Sequence, residues 1–174
     1  MYILTCKDHG RQKAGNIVDL ITEHTDKTFG ALGGNLVCPQ CQGPAVIKVS
    51  SKLQERHDNG KQWIWQRTIK AVVRIPTDVP TYSPYFFITS SRGSEPSEVG
   101  DGIHLNYYKD CRPKGKLKHG HGPGGAPVFG ADELLTVVER AARLGMIPKR
   151  KIEALVRRLD EDQSRIQSSN SPQC

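Results

Sequence analysis

The chain sets 25 lysines and arginines against 18 aspartates and glutamates in 174 residues, a formal net charge of +7. No apolar run approaches the roughly 20 residues that a membrane-crossing helix needs. A hydrophobic content of 36%, with 17 glycines and 11 prolines, predicts a modest core with long loops.

The basic balance, with a pI of about 9.3, favours anionic partners, nucleic acid foremost. The opening MYILTCKDHG has no basic segment leading into an apolar one. No secretory signal is therefore expected, and the expected location is cytoplasmic. In that compartment cysteines bind metal more often than they form disulfides.

The first pattern in chain order is Cys6-x-x-His9, followed by Gly10, and its counterpart is Cys38-x-x-Cys41, followed by Gly43. A two-residue gap lets one tight turn aim two ligands at one ion, and two such pairs complete a tetrahedron. Glycine just after each pair allows close backbone approach and positive φ. The expected ligands are Cys6, His9, Cys38 and Cys41, around one structural Zn²⁺. The stretch CPQCQG resembles the knuckle of zinc-ribbon proteins. That resemblance covers residues 1–49 and implies a zinc-ribbon-like lobe, with an insertion between the pairs. Four protein ligands leave no open position for a substrate.

Between the pairs, 16–24 predicts a short helix capped by Asn16, with Ile17, Leu20 and Ile21 at helical spacing. His24 reads as a core histidine rather than a ligand. Residues 28–35 read as a glycine-rich link.

Residues 44–75 predict a long β-hairpin with Asp58-Asn59-Gly60 at its turn. On the return strand the odd positions Trp63, Trp65, Ile69, Ala71, Val73 and Ile75 are apolar, which predicts one buried and one wet face. The outgoing strand is apolar at odd positions too: Ala45, Ile47, Val49 and Leu53. A plain two-residue turn pairs odd with even positions, so an odd-length loop or a bulge is expected.

Residues 85–91 and 102–110 predict two further strands, with a polar loop over 92–101. On the last strand Ile103, Leu105 and Tyr107 are expected to face the core. His104, Asn106, Tyr108 and Asp110 are expected on the other face. Residues 112–130, with six glycines and three prolines, read as one long loop, and such loops are commonly functional. Helices are predicted over 131–145 and 148–162, both packing on the sheet, with a frayed tail over 163–174. They resemble a helix-turn-helix only loosely.

The expected fold is therefore α+β. It comprises the zinc-ribbon-like lobe (1–49), an antiparallel sheet of about four strands with two C-terminal helices (50–162), and a flexible tail (163–174). Lobe and sheet are allowed to form one continuous domain.

Charge concentrates beside the glycine loop. Lys109, Arg112, Lys114, Lys116 and Lys118 stand against Asp110 alone. Glycines turn backbone N–H groups toward anions and lysines supply charge. His104 and Tyr108 offer stacking or hydrogen bonding. These seven residues are the expected site for nucleic acid or another phosphate-bearing ligand. A catalytic alternative uses His119, His121 and Asp110 as ligands or acid–base groups of a metal-dependent phosphodiesterase or nuclease. A further alternative is a protein-interaction adaptor.

Overall fold

A computed structural model of the chain describes residues 1–53, 63–90, 102–120 and 130–169. The expectations for the Asp58-Asn59-Gly60 turn, the loop at 92–101, His121 and the end of the tail at 170–174 lie outside the described residues. Eight antiparallel strands form one sheet, not about four. They are β1 (Ile3–Cys6), β2 (Gly10–Lys13), β3 (Gly33–Asn35), β4 (Ala45–Leu53), β5 (Trp63–Arg74), β6 (Tyr82–Ser90), β7 (Gly102–Asp110) and β8 (Leu117–Gly120). The order is β2-β1-β4-β5-β6-β7-β8, with β3 also on β5. The helices are α1 (Ile17–Glu23), α2 (Ala131–Arg143) and α3 (Lys149–Ser169). Among the described residues no helix is long and apolar enough to cross a membrane.

The four additional strands are β1, β2, β3 and β8. Each has four residues or fewer, too short for an alternating pattern to stand out. β1 also pairs with β4, through Thr5–Val46 and Cys6–Ala45. The N-terminal segment is thus hydrogen-bonded into the same sheet as the long hairpin.

β3 arises inside the expected glycine-rich link. A Cβ at Gly33, whose φ is +110°, would collide with the Val72 carbonyl oxygen, and one at Gly34 would collide with Asp26. Glycine therefore lets the chain lie against β5, where β3 pairs Gly33 with Val73 and Asn35 with Ala71. β4 occupies the same edge of β5 further along, pairing Ile47 with Ile69 and Leu53 with Trp63. Odd positions meet odd positions, so the apolar sides of the hairpin agree as expected.

The alternation along β5 does not continue unbroken. Its register with β6 shifts between Ile69 and Ala71, which leaves Lys70 as the extra residue. An inserted residue reverses which face later side chains take. Ile69 and Val72 accordingly join one buried cluster, with Leu4, Ile17, Leu20, Tyr85 and Phe87. Ala71, Val73 and Ile75 join another, with Phe86, Ile88 and Val137. The sheet is covered on both faces here, and the expected single wet face is absent along 68–73, where every residue is buried.

α1 begins as its sequence predicts. The Asn16 side chain accepts from the N–H groups of Val18 and Asp19, and the Asp19 carboxylate accepts from Asn16 N–H, a reciprocal cap. Ile17, Leu20 and Ile21 are buried beneath it, and His24 is buried as expected.

α2 docks on the second cluster through Val137 and Ala141. Arg140 donates to the Arg74 carbonyl at 2.7 Å, and the guanidiniums of Arg140 and Arg143 lie over the Phe29 ring. Gly145, at φ +77°, follows the end of α2 in a conformation that glycine tolerates. α3 departs from expectation twice. It runs on through 163–169, part of the expected tail, and its stripe of Leu155, Val156 and Leu159 is exposed rather than packed on the sheet.

Candidate functional site

The first ligand pair hangs on the β1–β2 hairpin. Cys6 is the last residue of β1 and pairs with Gly10, the first of β2. Gly10 has φ +63°, the left-handed turn that returns the chain after His9. The second pair closes a knuckle: Cys38 N–H donates to the Gly43 carbonyl at 2.8 Å, and Gln42 N–H donates to the Cys38 carbonyl at 2.8 Å. The left-handed position here is Gln42, at φ +58°, not Gly43. Gly43 supplies clearance instead, because a Cβ on it would stand 3.3 Å from Cys41 Sγ.

Pairing β1 with β4 carries the hairpin turn to the knuckle. The ligand atoms of Cys6, His9, Cys38 and Cys41 all lie within 4.8 Å of one another. Cys6 Sγ is 3.7 Å from Cys41 Sγ, His9 Nδ1 is 3.7 Å from Cys38 Sγ and 4.0 Å from Cys6 Sγ. A tetrahedron with metal–sulfur bonds of about 2.3 Å has sulfur–sulfur edges of about 3.8 Å. The four residues can therefore hold one metal ion without rearrangement of the backbone.

Electrostatics favour a cation. Burial opposes ionisation of Cys38, but the backbone N–H groups of Cys41 and Gln40 and the Gln12 amide outweigh it and bring the thiol down to about 6. Gln12 Nε2 donates to Cys38 Sγ at 3.2 Å. Cys6 is lowered as well, chiefly by the backbone of His9 and Asp8. At Cys41 the Gly43 backbone draws the thiol down, yet burial and the neighbouring sulfurs leave it raised. His9 is raised, first by its bond to Cys6. Several thiolates packed this closely repel one another, and a dication between them reverses the sign of that interaction. Gln12 was not foreseen. Its place on the strand returning from His9 is the only trace the sequence holds.

At the opposite end of the sheet, β7 pairs with β8 inside the stretch expected to be loop. Tyr107 lies opposite Gly120, Tyr108 opposite His119, Lys109 opposite Lys118 and Asp110 opposite Leu117. Lys109, Lys114, Lys116 and Lys118 are exposed. Lys109 also faces Tyr82 of β6, whose ring lies 5.2 Å from that of Tyr107. A Cβ at Gly120 would collide with the Tyr107 ring. One face of this edge thus carries Tyr82, Tyr107, Lys109 and Lys118 side by side.

The other face differs from expectation. Tyr108 is buried, 4% exposed, in the cluster of Tyr85 and Phe87, with its ring 5.9 Å from Tyr85. It is a core residue and not part of a wet strand face. Leu105, expected in the core, is 37% exposed. Ile103 packs against the second cluster as expected, so β7 meets core on both faces, through Ile103 on one and Tyr108 on the other.

His104 is partly buried beside Asn106, in a cavity of about 180 Å³ walled by Tyr2, Arg67 and Phe87. Burial first, and then the Arg67 charge, lowers its pKa. His119 is exposed and does not line that cavity. Arg112 grips the Asp110 carboxylate through Nε at 2.8 Å and Nη2 at 2.7 Å. Asp110 is lowered chiefly by that bond. The structure thus engages Asp110 and Arg112 with each other and separates His104 from His119.

No protein-family model, curated protein or solved structure matches this chain. The chemistry of its own residues must therefore carry the functional reading. Among the described residues, Cys6, His9, Cys38 and Cys41 form the group suited to a metal. The β7–β8 edge supplies positive charge and aromatic faces without a matching cluster of acids.

Proposed function

We propose that the protein is a zinc-stabilised nucleic-acid-binding protein whose metal is structural and whose binding surface is the β7–β8 edge. Three thiols and one imidazole at tetrahedral edge lengths favour Zn²⁺ over harder cations, which prefer oxygen ligands. Four protein ligands make the site a clamp: it joins the β1–β2 hairpin to the 38–43 knuckle.

The observation that carries the binding role is the cross-strand pair Lys109–Lys118. Like charges directly opposite destabilise a sheet, and a phosphate between them removes the repulsion. Tyr107 and Tyr82 lie alongside, and aromatic faces beside cations suit stacking of bases next to a tracked backbone. Lys114 and Lys116, on the link from β7 to β8, extend the charge. Arg112 is largely neutralised by Asp110 and is left out of the surface; Tyr108 is left out because it is core.

The test pairs metal analysis with a salt-dependent titration of labelled single-stranded DNA and RNA. One zinc per chain is expected. Replacing Lys109, Lys116 and Lys118 by Ala is expected to weaken binding at least about tenfold and to flatten its salt dependence. Binding whose strength and salt slope survive the triple substitution would overturn the assignment of the surface.

A further inference from the structure

We infer that α3 is a self-association helix, which pairs antiparallel with α3 of a second copy of this chain. Nine large hydrophobic residues are exposed among the described residues, and six of them lie in α2 and α3. On α3 these are Leu155, at 45%, Val156, at 51%, and Leu159, at 54%. With Ile152 they make one stripe at helical spacing, of the kind that seeks an opposing apolar surface. α2 spends Val137 and Ala141 on the sheet, whereas among the described residues the α3 stripe joins no buried cluster.

The charges on α3 select the occupant. Its first turn is Lys149, Arg150 and Lys151, with no acid. This runs against the positive field of a helix N-terminus, which favours anions. About three turns later come Asp160 and Glu161, and sequence adds Asp162. The stripe lies between the basic and acidic segments, with its midpoint at Leu155 and Val156. A parallel partner sets like charge against like. An antiparallel copy sets the basic turn of each helix against the acidic segment of the other, and brings the two Leu155–Val156 centres together.

The flanks agree with that arrangement. Lys149 and Asp160 are three turns apart, so they lie on the same side of the stripe. In a two-fold antiparallel pair, each flank meets the same flank of the other copy. Lys149 of one copy then lies beside Asp160 of the other, and symmetry makes that contact twice. The surface is self-complementary and closes at two copies.

Sedimentation equilibrium of the full chain tests this, run under reductant so that Cys111 and Cys174 form no cross-link. At about 50 μM the expected mass is twice the 19.3 kDa of one chain. Leu155→Lys is expected to weaken association at least about 100-fold, with an unchanged circular-dichroism spectrum because the residue is exposed. Lys149→Glu is expected to weaken it about tenfold, and Lys149→Glu with Asp160→Lys to restore it within a few-fold. A monomeric wild type at about 100 μM, or a dimer indifferent to Leu155→Lys, would overturn the proposal. A charge swap that fails to restore association would overturn its antiparallel arrangement.

Discussion

The two ends of the sheet handle charge in opposite ways. At the β1–β2 end, three thiols and an imidazole converge, and backbone N–H groups with Gln12 hold Cys38 toward its anionic form. At the β7–β8 end, Lys109 and Lys118 are set against each other on an exposed strand pair. Each end concentrates one sign of charge and so favours a counter-charge from outside the chain. The difference lies in geometry: the first end is a closed cluster sized for an ion, and the second is an open strip of exposed side chains.

The largest effect is expected from breaking the closed end. Cys38→Ser removes a buried ligand and the acceptor of Gln12. Metal content should fall from one ion per chain to none, and the melting temperature should fall by about 10 °C or more, because metal-binding energy at such a site is folding energy. Chelation of the wild type should reproduce that loss. A chelated, metal-free wild type that melts like the metal-loaded protein would sever the metal from stability.

β7 sharpens the comparison at the open end, where stability and binding occupy opposite faces. Tyr108→Ala should cost about 3–5 kcal/mol, as a large buried aromatic. Leu105→Ala should cost less than about 1 kcal/mol, because the side chain is already 37% exposed. Denaturant titration of the two variants decides it. Equal costs would show that the buried and open sides of β7 are wrongly assigned.

Gly33 probes the handover from β4 to β3 along β5, which links the metal end to the rest of the sheet. Gly33→Ala places a Cβ against the Val72 carbonyl at φ +110°. A destabilisation of about 2–4 kcal/mol is expected. A neutral result in thermal melts would mean that this segment does not lie on β5 as a strand.

These contrasts also explain what was legible in the sequence. The ligand pairs could be read because their geometry is local: two residues separate each pair, and one turn satisfies each. The Asn16 cap and the parity of the β4–β5 hairpin were readable for the same reason. The faces of β5 and β7 were not. Those of β5 depend on one inserted residue at Lys70, and those of β7 on two separate clusters that cover the sheet from opposite sides. β3, with the sequence Gly-Gly-Asn, has no strand propensity at all and pairs because only glycine can approach Val72. β8 was hidden among glycines that looked like loop. Gly120 has a specific neighbour instead, because the Tyr107 ring occupies the place of its missing side chain.

The smallest expected change in stability gives the most specific test of the open end. Lys118→Glu converts the facing Lys109 pair from repulsive to attractive. Cross-strand pairs of this kind change stability by about 0.2–1 kcal/mol, so the variant should be slightly more stable than wild type in denaturant. On the proposed binding surface the same substitution would remove one phosphate contact and add a negative charge beside another. Affinity for single-stranded nucleic acid should therefore fall, with a shallower salt dependence. Opposite signs are the signature of a surface that gives up stability to attract an anion. A residue exposed without a role would change neither quantity beyond a few tenths of a kcal/mol. If stability rises while binding is unchanged, the repulsion at Lys109–Lys118 is incidental and the anion surface lies elsewhere. If stability falls, the two side chains do not face each other as the register requires.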